Sequence, residues 1–171
     1  MAWNVNTDLV KGNDMYLYIT LPDSAGTIST STTASKVVAY ATSCSLQVDA
    51  ETIDVSSKLS CRWNAVVQGN ASYTVSADAL YCLKGSADSN SAYTIDHLFE
   101  AMVEGKNVGW FIAQDQSTTC GTISGPDTTK PYYYGTAAIT SLSIEAGNNE
   151  IVSSSISLTG DGKVNQGGVS Q

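Results

Sequence analysis

The chain has 171 residues, of which 42% are hydrophobic and 14% are charged, a length and composition that suit one globular domain with a hydrophobic core. Globular domains usually contain about 25% charged residues, so serine, threonine and asparagine must cover much of the surface. The formal net charge of −8, with only 8 lysines and arginines, excludes tight binding of nucleic acids or anionic membranes, because both depend on clustered cations.

The N-terminus indicates an unexported chain, and this bears on the state of the cysteines. The opening residues MAWNVNTDLVKGNDMY lack the basic start and apolar run of a signal peptide, and no segment approaches the roughly 18 apolar residues of a membrane helix. Reduced thiols are therefore expected rather than a disulfide framework, and thiols on apolar strand faces act as small hydrophobes. The cysteines are Cys44, Cys61, Cys82 and Cys120.

Apolar and polar residues alternate with period two along most of the chain, which predicts strands with one buried face. A short strand is predicted at 15–19. In 37–48 (VVAYATSCSLQV) the even positions are largely apolar, and the odd positions form a small, mostly polar face. In 70–84 (NASYTVSADALYCLK) the odd positions are apolar and the even positions are mostly polar.

One helix is predicted, over residues 94–104. Its apolar residues recur at the spacing of a helical stripe, and Thr94 and Gly105 suit its two ends. Asp96 complements the positive end of the helix dipole. The predicted buried stripe consists of Ile95, Leu98, Phe99, Met102 and Val103.

Three further strands follow the helix, at 108–114, 135–146 (GTAAITSLSIEA) and 150–160 (EIVSSSISLTG). Gly147, Asn148 and Asn149 tolerate positive φ, so the last two strands should form an antiparallel hairpin. We expect Ala138, Leu142 and Ile144 on the buried face of the first of these two strands, and Val152, Ile156 and Leu158 on that of the second.

The remaining segments are predicted to be loops and arms of a single domain spanning residues 1–171. Serine, threonine, glycine and proline dominate 22–35 and 116–130. The other irregular segments are an N-terminal arm at about 1–14, a long loop at about 49–69 and a flexible C-terminal arm at about 161–171.

No pattern of catalytic or cofactor-binding residues is present. His97 is the only histidine and is interpreted as a helix-surface residue, and no nucleophile-elbow motif occurs. Asp49, Glu51 and Asp54 lack the spacing and central glycine of a calcium-binding EF-hand loop, so a solvated or interface-paired acidic segment is favoured. We therefore expect no enzyme activity, no cofactor and no metal.

Four segments, in this order, resemble the major tail tube proteins of tailed bacteriophages, in particular the long-tailed type. They are YATSCSLQVDAETIDVSSK, SYTVSADALYC, YTIDHLFEAMVEGKNV and YYYGTAAITSLSIEAGNNEIVSSSISLTGDG, and the similarity covers about residues 36–162. The segment LSCRWNAVVQGN departs from it, because Leu59 and Cys61 are apolar where an acidic or glycine-rich turn is expected. The resemblance implies a β-sandwich or barrel-like fold with one flanking helix, six copies per ring, and rings stacked into the tube through which the genome leaves.

The resemblance gives the hydroxyl-rich strand faces a role as the lining of a water-filled lumen. If each copy contributes four strands, about 24 strands would close around a bore too wide for side chains to fill. Serines and carboxylates without arginine would give DNA phosphates few attractive contacts. The predicted lumen residues are Ser43, Ser45, Gln47, Ser72, Thr74, Ser76, Asp78, Ser141, Ser143, Glu145, Ser153, Ser155 and Ser157.

Stacking of rings needs contacts outside the sheet, and the 49–69 loop is the first candidate because it combines apolar residues with charges. The N-terminal arm with Trp3 is a second candidate. The predicted stacking residues are Ile53, Asp54, Val55, Lys58, Leu59, Arg62 and Trp63.

The expected partners are further copies of the chain in a homo-hexamer, the tape-measure protein and the tail-end proteins, with DNA passing without specific binding and no membrane contact. The expected location is the virion tail, after assembly in the host cytoplasm. Two alternatives remain open at this point. One is the inner tube protein of a contractile injection or secretion device; the other is a carbohydrate-binding β-sandwich in which Trp63, Trp110 or the tyrosines at 132–134 stack on sugars.

Overall fold

The computed structural model describes residues 10–29, 32–56, 63–82, 92–117 and 122–168. Short 3-10 helices occupy Gly12–Asp14 and Thr32–Ala34. The predicted strands at 15–19 and 108–114 and the predicted helix are confirmed. The elements are β1 (Met15–Thr20), β2 (Lys36–Val38), β3 (Ala41–Asp54), β4 (Val66–Leu80), β5 (Ala92–Tyr93), α1 (Ile95–Val103), β6 (Val108–Gln114), β7 (Tyr132–Glu145) and β8 (Ser153–Gly167).

The strands form one eight-stranded sheet in the order β3-β4-β8-β7-β6-β1-β2-β5. Neighbours are antiparallel except for the short parallel pair of β2 and β5. The sheet folds back over its own core, so that Cys44 Sγ of β3 lies 4.0 Å from the carbonyl oxygen of Met15 in β1. The mainly-β, sandwich-like fold with a flanking helix is therefore confirmed.

Tyr73 and Trp110 occupy the centre of the core between the two halves of the sheet. Their ring centroids are 5.5 Å apart, and Trp110 Nε1–H donates to the Tyr73 hydroxyl at 3.4 Å. That hydroxyl in turn donates to the carbonyl of Thr136. The backbone of β8 passes directly over the Tyr73 ring at Gly160, where an added Cβ would lie 2.3 Å from a ring carbon. Close packing there requires glycine.

The helix buries a narrower face than the sequence predicts. Ile95, Leu98 and Ala101 are buried, whereas Phe99 is 53% and Val103 is 69% exposed, so the prediction that these two face the core is wrong. The small Ala101 side chain turns toward the sheet instead. Thr94 precedes the helix, and its N–H donates to His97 Nδ1 at 3.3 Å, which makes His97 part of the helix cap.

A bulge in β7 changes which of its residues face the core. Ile139 pairs with Leu158 and Ser141 pairs with Ser157, so Thr140 is an extra residue. Before the bulge Ile139 is buried, and Ala138 lies on the opposite face, paired with Thr159. The predicted placement of Ala138 on the buried face is therefore wrong, because period-two counting does not survive an inserted residue.

The predicted flexible C-terminal arm is instead the end of β8 as far as Gly167. Gly167 pairs with Tyr132, at the start of β7. Tyr132 and Tyr134 both pack against Phe111 of β6, which fixes this part of β7 and offers its edge to the chain end. Residues 169–171 lie outside the described residues.

The predicted long loop at 49–69 is mostly a two-stranded hairpin. Asp54 still pairs with Val66, and the N–H of Val55 donates to the carbonyl of Ala65 at 2.8 Å. Every residue from 47 to 56 is exposed, so the hairpin projects from the body of the protein. We call residues 49–69 the arm. Its valine, isoleucine and threonine content favours strands, which the acidic residues had masked.

Candidate assembly surfaces

The residues predicted to line a lumen share one face of the sheet formed by β3, β4, β8 and β7. Ladder pairing runs across these strands from Ser43 to Asp78 to Ser155 to Ser143. A parallel row runs from Ser45 through Ser76 and Ser157 to Ser141. The same face carries Gln47, Ser72, Thr74, Glu145 and Ser153, and each of the predicted lumen residues is exposed or half-buried.

Hydrogen bonds between neighbouring strands tie much of this polar face together. Ser43 Oγ donates to Asp78 Oδ2 at 2.7 Å, and Ser45 and Ser76 share a hydrogen bond of 2.7 Å between their hydroxyls. The hydroxyls of Ser143 and Ser155 are 2.8 Å apart. These three pairs satisfy part of the hydrogen-bonding capacity of the face within the sheet itself.

The polar face has several acidic groups and few cations. Segments 41–54, 66–80, 132–145 and 153–162 contain no lysine or arginine, and Lys163 follows in the last part of β8. Two further residues of this face are absent from the predicted lumen residues: Asp49, opposite Ser72, and Thr159, opposite Thr74. Asp49 comes two positions after Gln47, and Thr159 comes two positions after Ser157. Continuing the period-two alternation by one more residue on each strand therefore identifies both.

Two edges bound this part of the sheet. Among the described residues, β3 begins the strand order and pairs only with β4. On the other side, β6 pairs with β7 only from Tyr133 to Ala137, so 139–145 pair with β8 alone within the described part of the chain. Neither 41–54 nor 139–145 contains lysine, arginine or proline, the residues that usually block pairing between molecules.

The arm carries the predicted stacking residues, as far as they are described. Ile53 is 52%, Val55 49% and Trp63 83% exposed, while Lys58, Leu59 and Arg62 lie outside the described residues. Asp54 accepts a hydrogen bond from the N–H of Ser56 at 2.7 Å, and its hydrogen bonds with Ser56 lower the pKa of Asp54.

Val66 and Val67 are also exposed on the arm and were missed by the sequence analysis. The apolar pair after Trp63 was the available signal, but it was assigned to a loop. With these two residues, the arm exposes apolar groups along both of its strands.

Other kinds of site find little support among the described residues. No group of three or more histidine, cysteine or acidic side chains there is placed to hold a metal ion, and no helix there has the length and hydropathy needed to cross a membrane. Trp110 is 0% exposed, and Tyr132 and Tyr134 pack against Phe111, so these rings offer no open platform for a sugar. Of the other proposed platform residues, Trp63 is 83% and Tyr133 is 39% exposed.

Solved structures of several tube assemblies have the same fold. The tail of an empty gene transfer agent particle, refined with helical C6 symmetry, has a TM-score of 0.65 at 17% identity, with 92% of this chain and 98% of that chain covered. The SPP1 tail tube has a TM-score of 0.65 at 15% identity, covering 94% and 80%. The sheath-tube complex of the extracellular contractile injection system PVC has a TM-score of 0.53 at 14% identity, covering 96% of both chains.

No curated protein matches the chain in sequence. The family model of the phage tail tube protein, in contrast, matches residues 9–166. This range includes the polar face, both free edges and the arm. The chain therefore belongs to the phage tail tube protein family.

Proposed function

We propose that six copies of the chain close into a ring, and that rings stack into a tail tube that conducts the genome out of the virion. The observation that carries the proposal is the continuous polar face on β3, β4, β8 and β7, bounded by two unprotected edges. The copy number follows the C6 symmetry of the similar gene transfer agent tail. The chain acts structurally, without a catalytic step or cofactor.

Ring closure joins the edge of β3 to residues 139–145 of β7 in the next copy. β3, β4, β8 and β7 alternate in direction, so β7 of one copy meets β3 of the next in antiparallel orientation. Joining them adds a ladder and removes both edges. Val48 and Ile144 lie on the core-facing side of these two edges and are 57% and 50% exposed in the single copy. Joining the edges brings these apolar side chains into contact, which stabilises the joint.

The closed ring has a wide, water-filled bore. At a strand spacing of about 4.8 Å and a strand tilt of about 40°, a barrel of about 24 strands has a backbone diameter of about 45–50 Å. The opposite side of the sheet is packed into the core of each copy, with Val75 and Leu158 at 0% exposure. The polar face is therefore the side turned toward the bore.

This lining lets DNA pass without binding. Six copies of a chain with net charge −8 place roughly −48 on a ring, which salt screens beyond a Debye length of about 8 Å. Repulsion of phosphates is thus confined to close approach. Hydroxyls already paired with one another, such as those of Ser45 and Ser76, offer little to a passing phosphate.

Stacking uses the arm, where Ile53 and Trp63 bury apolar surface against the neighbouring ring. The tube assembles in the host cytoplasm around a tape-measure protein and ends on tail-end proteins. Its final location is the virion tail.

A charge change at the β3 edge tests ring closure. The Val48→Lys variant should remain folded but monomeric, since the edge then carries a cation that opposes joining. Thr74→Lys places the same charge on the polar face away from the edges, and should still form rings. Native mass spectrometry and electron microscopy measure the outcome. Rings of normal size from Val48→Lys, or monomers from wild type at every concentration, would contradict the proposal.

The lining is tested with the same control variant. Tubes of Thr74→Lys should retain DNA in a salt-dependent manner, and wild-type tubes should not, because each added lysine supplies a phosphate contact. Equal retention by both tubes would place Thr74 outside the bore.

A second candidate function is the inner tube of a contractile device. Its support is the TM-score of 0.53 with the PVC sheath-tube complex, together with the exposed apolar pair Phe99 and Val103 on α1, on the side of the sheet away from the polar face. A sheath protein would cover this pair. Co-purification of a sheath protein with tubes, lost in Val103→Asp, would favour this candidate.

A further inference from the structure

The end of the molecule opposite the arm carries two apolar side chains that are largely exposed among the described residues. Tyr40 is 62% and Ile151 is 73% exposed. Both flank the end of β4: the N–H of Leu80 donates to the carbonyl of Tyr40 at 3.0 Å, and the N–H of Tyr81 donates to the carbonyl of Val152 at 2.9 Å. We call Tyr40 and Ile151 the base patch.

The backbone of Tyr40 is strained. Its φ is +54°, in the left-handed region, which costs a residue other than glycine about 1–2 kcal/mol. Contacts of the Tyr40 side chain within the single copy offset little of this cost, since most of the side chain is exposed. Backbone strain of this kind clusters at functional sites, and tyrosine is enriched at protein interfaces.

The arm and the base patch point in opposite directions along the strands. β3 begins at Ala41, next to Tyr40, and ends at Asp54 in the arm. At about 3.3 Å per residue its length is roughly 45 Å, so the two apolar surfaces of one copy cannot meet each other. In a stack of identically oriented rings, the arm of one ring faces the base of the next.

Charge pairing between described residues does not hold the two ends together. Glu145 and Glu150 lie near Ile151, and the described part of the arm is acidic as well, with Asp49, Glu51 and Asp54. The contact therefore depends on the apolar side chains of the two surfaces.

We propose that the base patch is the acceptor for the arm of a second copy in the adjacent ring. Ile53, Trp63 and Val66 of the arm supply the apolar surface, and Tyr40 and Ile151 receive it. The contact is heterologous, because two different surfaces of the same chain meet, and a heterologous contact between rings extends without closing. The inference rests on the proposed ring and adds the surface on which the next ring docks.

The test uses one variant for each side of the contact. Ile53→Asp disables the arm and Ile151→Asp disables the base patch, and each variant should form single rings without tubes. Val103→Asp is the control, because Val103 is a comparably exposed apolar residue on the side of the body. Val103 is the last residue of α1, four residues before Asn107. The side chain of Asn107 donates to Asp161 Oδ2 at 2.9 Å. Asp161 pairs with Thr136, away from the base patch. This variant should form tubes of normal length.

Mixing preformed rings of the two variants gives the decisive result. The intact arm of an Ile151→Asp ring should dock on the intact base of an Ile53→Asp ring, and growth should stop there, giving stacks of two rings in electron micrographs. Long tubes from Ile151→Asp alone, or only single rings in the mixture, would overturn the inference. Absence of rings from wild type would instead refute the proposed function.

Discussion

Asp115 is expected to stabilise the folded chain through one carboxylate that holds several donors. The carboxylate is nearly buried and accepts the hydroxyl of Tyr18 at 2.6 Å. It also accepts the N–H groups of Ser117 at 2.6 Å, Ser124 at 3.1 Å and Gly125 at 3.0 Å. Burial raises the pKa of Asp115, but these hydrogen bonds together outweigh it and leave the pKa below its ordinary value.

The Asp115→Asn variant keeps the shape of the side chain and replaces one acceptor oxygen by a donor. Gly125 and Ser124 donate to Oδ2, and Ser117 and Ser124 donate to Oδ1, so either orientation of the amide sets its NH2 group against backbone donors. Each unsatisfied donor costs about 1–3 kcal/mol. We expect a loss of about 2–4 kcal/mol of unfolding free energy at pH 7, which lowers Tm by roughly 5–15 °C for a domain of this size.

The dependence on pH separates this mechanism from general damage to the fold. A depressed carboxyl pKa stabilises the fold above the unfolded value of about 3.9, and this stabilisation is lost as the pH falls through the folded pKa. The difference between wild type and Asp115→Asn, measured by urea unfolding of dilute subunits, should therefore shrink as the pH is lowered below about 4. A difference that stays constant from pH 7 to low pH would refute the reasoning.

Three further changes have expected outcomes that thermal or urea unfolding can measure. Gly160→Ala should lower the free energy of unfolding by about 1–3 kcal/mol through overpacking, because the Tyr73 ring beside it is 3% exposed and has no room to move. The control Gly69→Ala, whose Cβ would have contacts of 3.4 Å, should change the free energy of unfolding by less than about 0.5 kcal/mol. Equal losses in the two variants would contradict this prediction. Thr94→Ala should cost about 1 kcal/mol by removing the helix cap, and an unchanged Tm would show that His97 suffices. Tyr40→Gly should relieve about 1 kcal/mol of backbone strain in the single copy and shorten the tubes seen by electron microscopy; tubes of normal length would remove Tyr40 from the contact.

The strands and their faces were predictable from the sequence because the alternation is long and regular. Ser43, Ser45 and Gln47 alternate with Cys44 and Leu46, and the ladder keeps that order. Where the period breaks, the prediction fails. The extra residue at Thr140 is encoded by the fit between β7 and β8, which no property of Thr140 itself reveals.

The other errors have a common physical cause, which is that burial depends on what lies opposite. Phe99 and Val103 continue the helical stripe, but only Ile95, Leu98 and Ala101 of the helix are buried, so Phe99 and Val103 are exposed. The chain end is polar and glycine-rich, yet it forms a strand because Tyr132 offers it an edge. For the arm, pairing of Ile53 with Val67 outweighs a local sequence rich in acidic residues.

The proposed assembly accounts for features that would be liabilities in a free monomer. An edge strand as long as β3 without lysine or proline invites uncontrolled pairing, and an arm with Trp63 at 83% exposure invites aggregation. Each feature has a complement elsewhere on the same chain: the β3 edge has the free end of β7, and the arm has the base patch. Pairing of β3 with β7 between copies closes into a ring because the sheet curves. The contact between arm and base patch runs along the strands instead, so it adds one ring after another without closing. Two heterologous contacts of this kind, at right angles to each other, produce a tube of fixed circumference and open length.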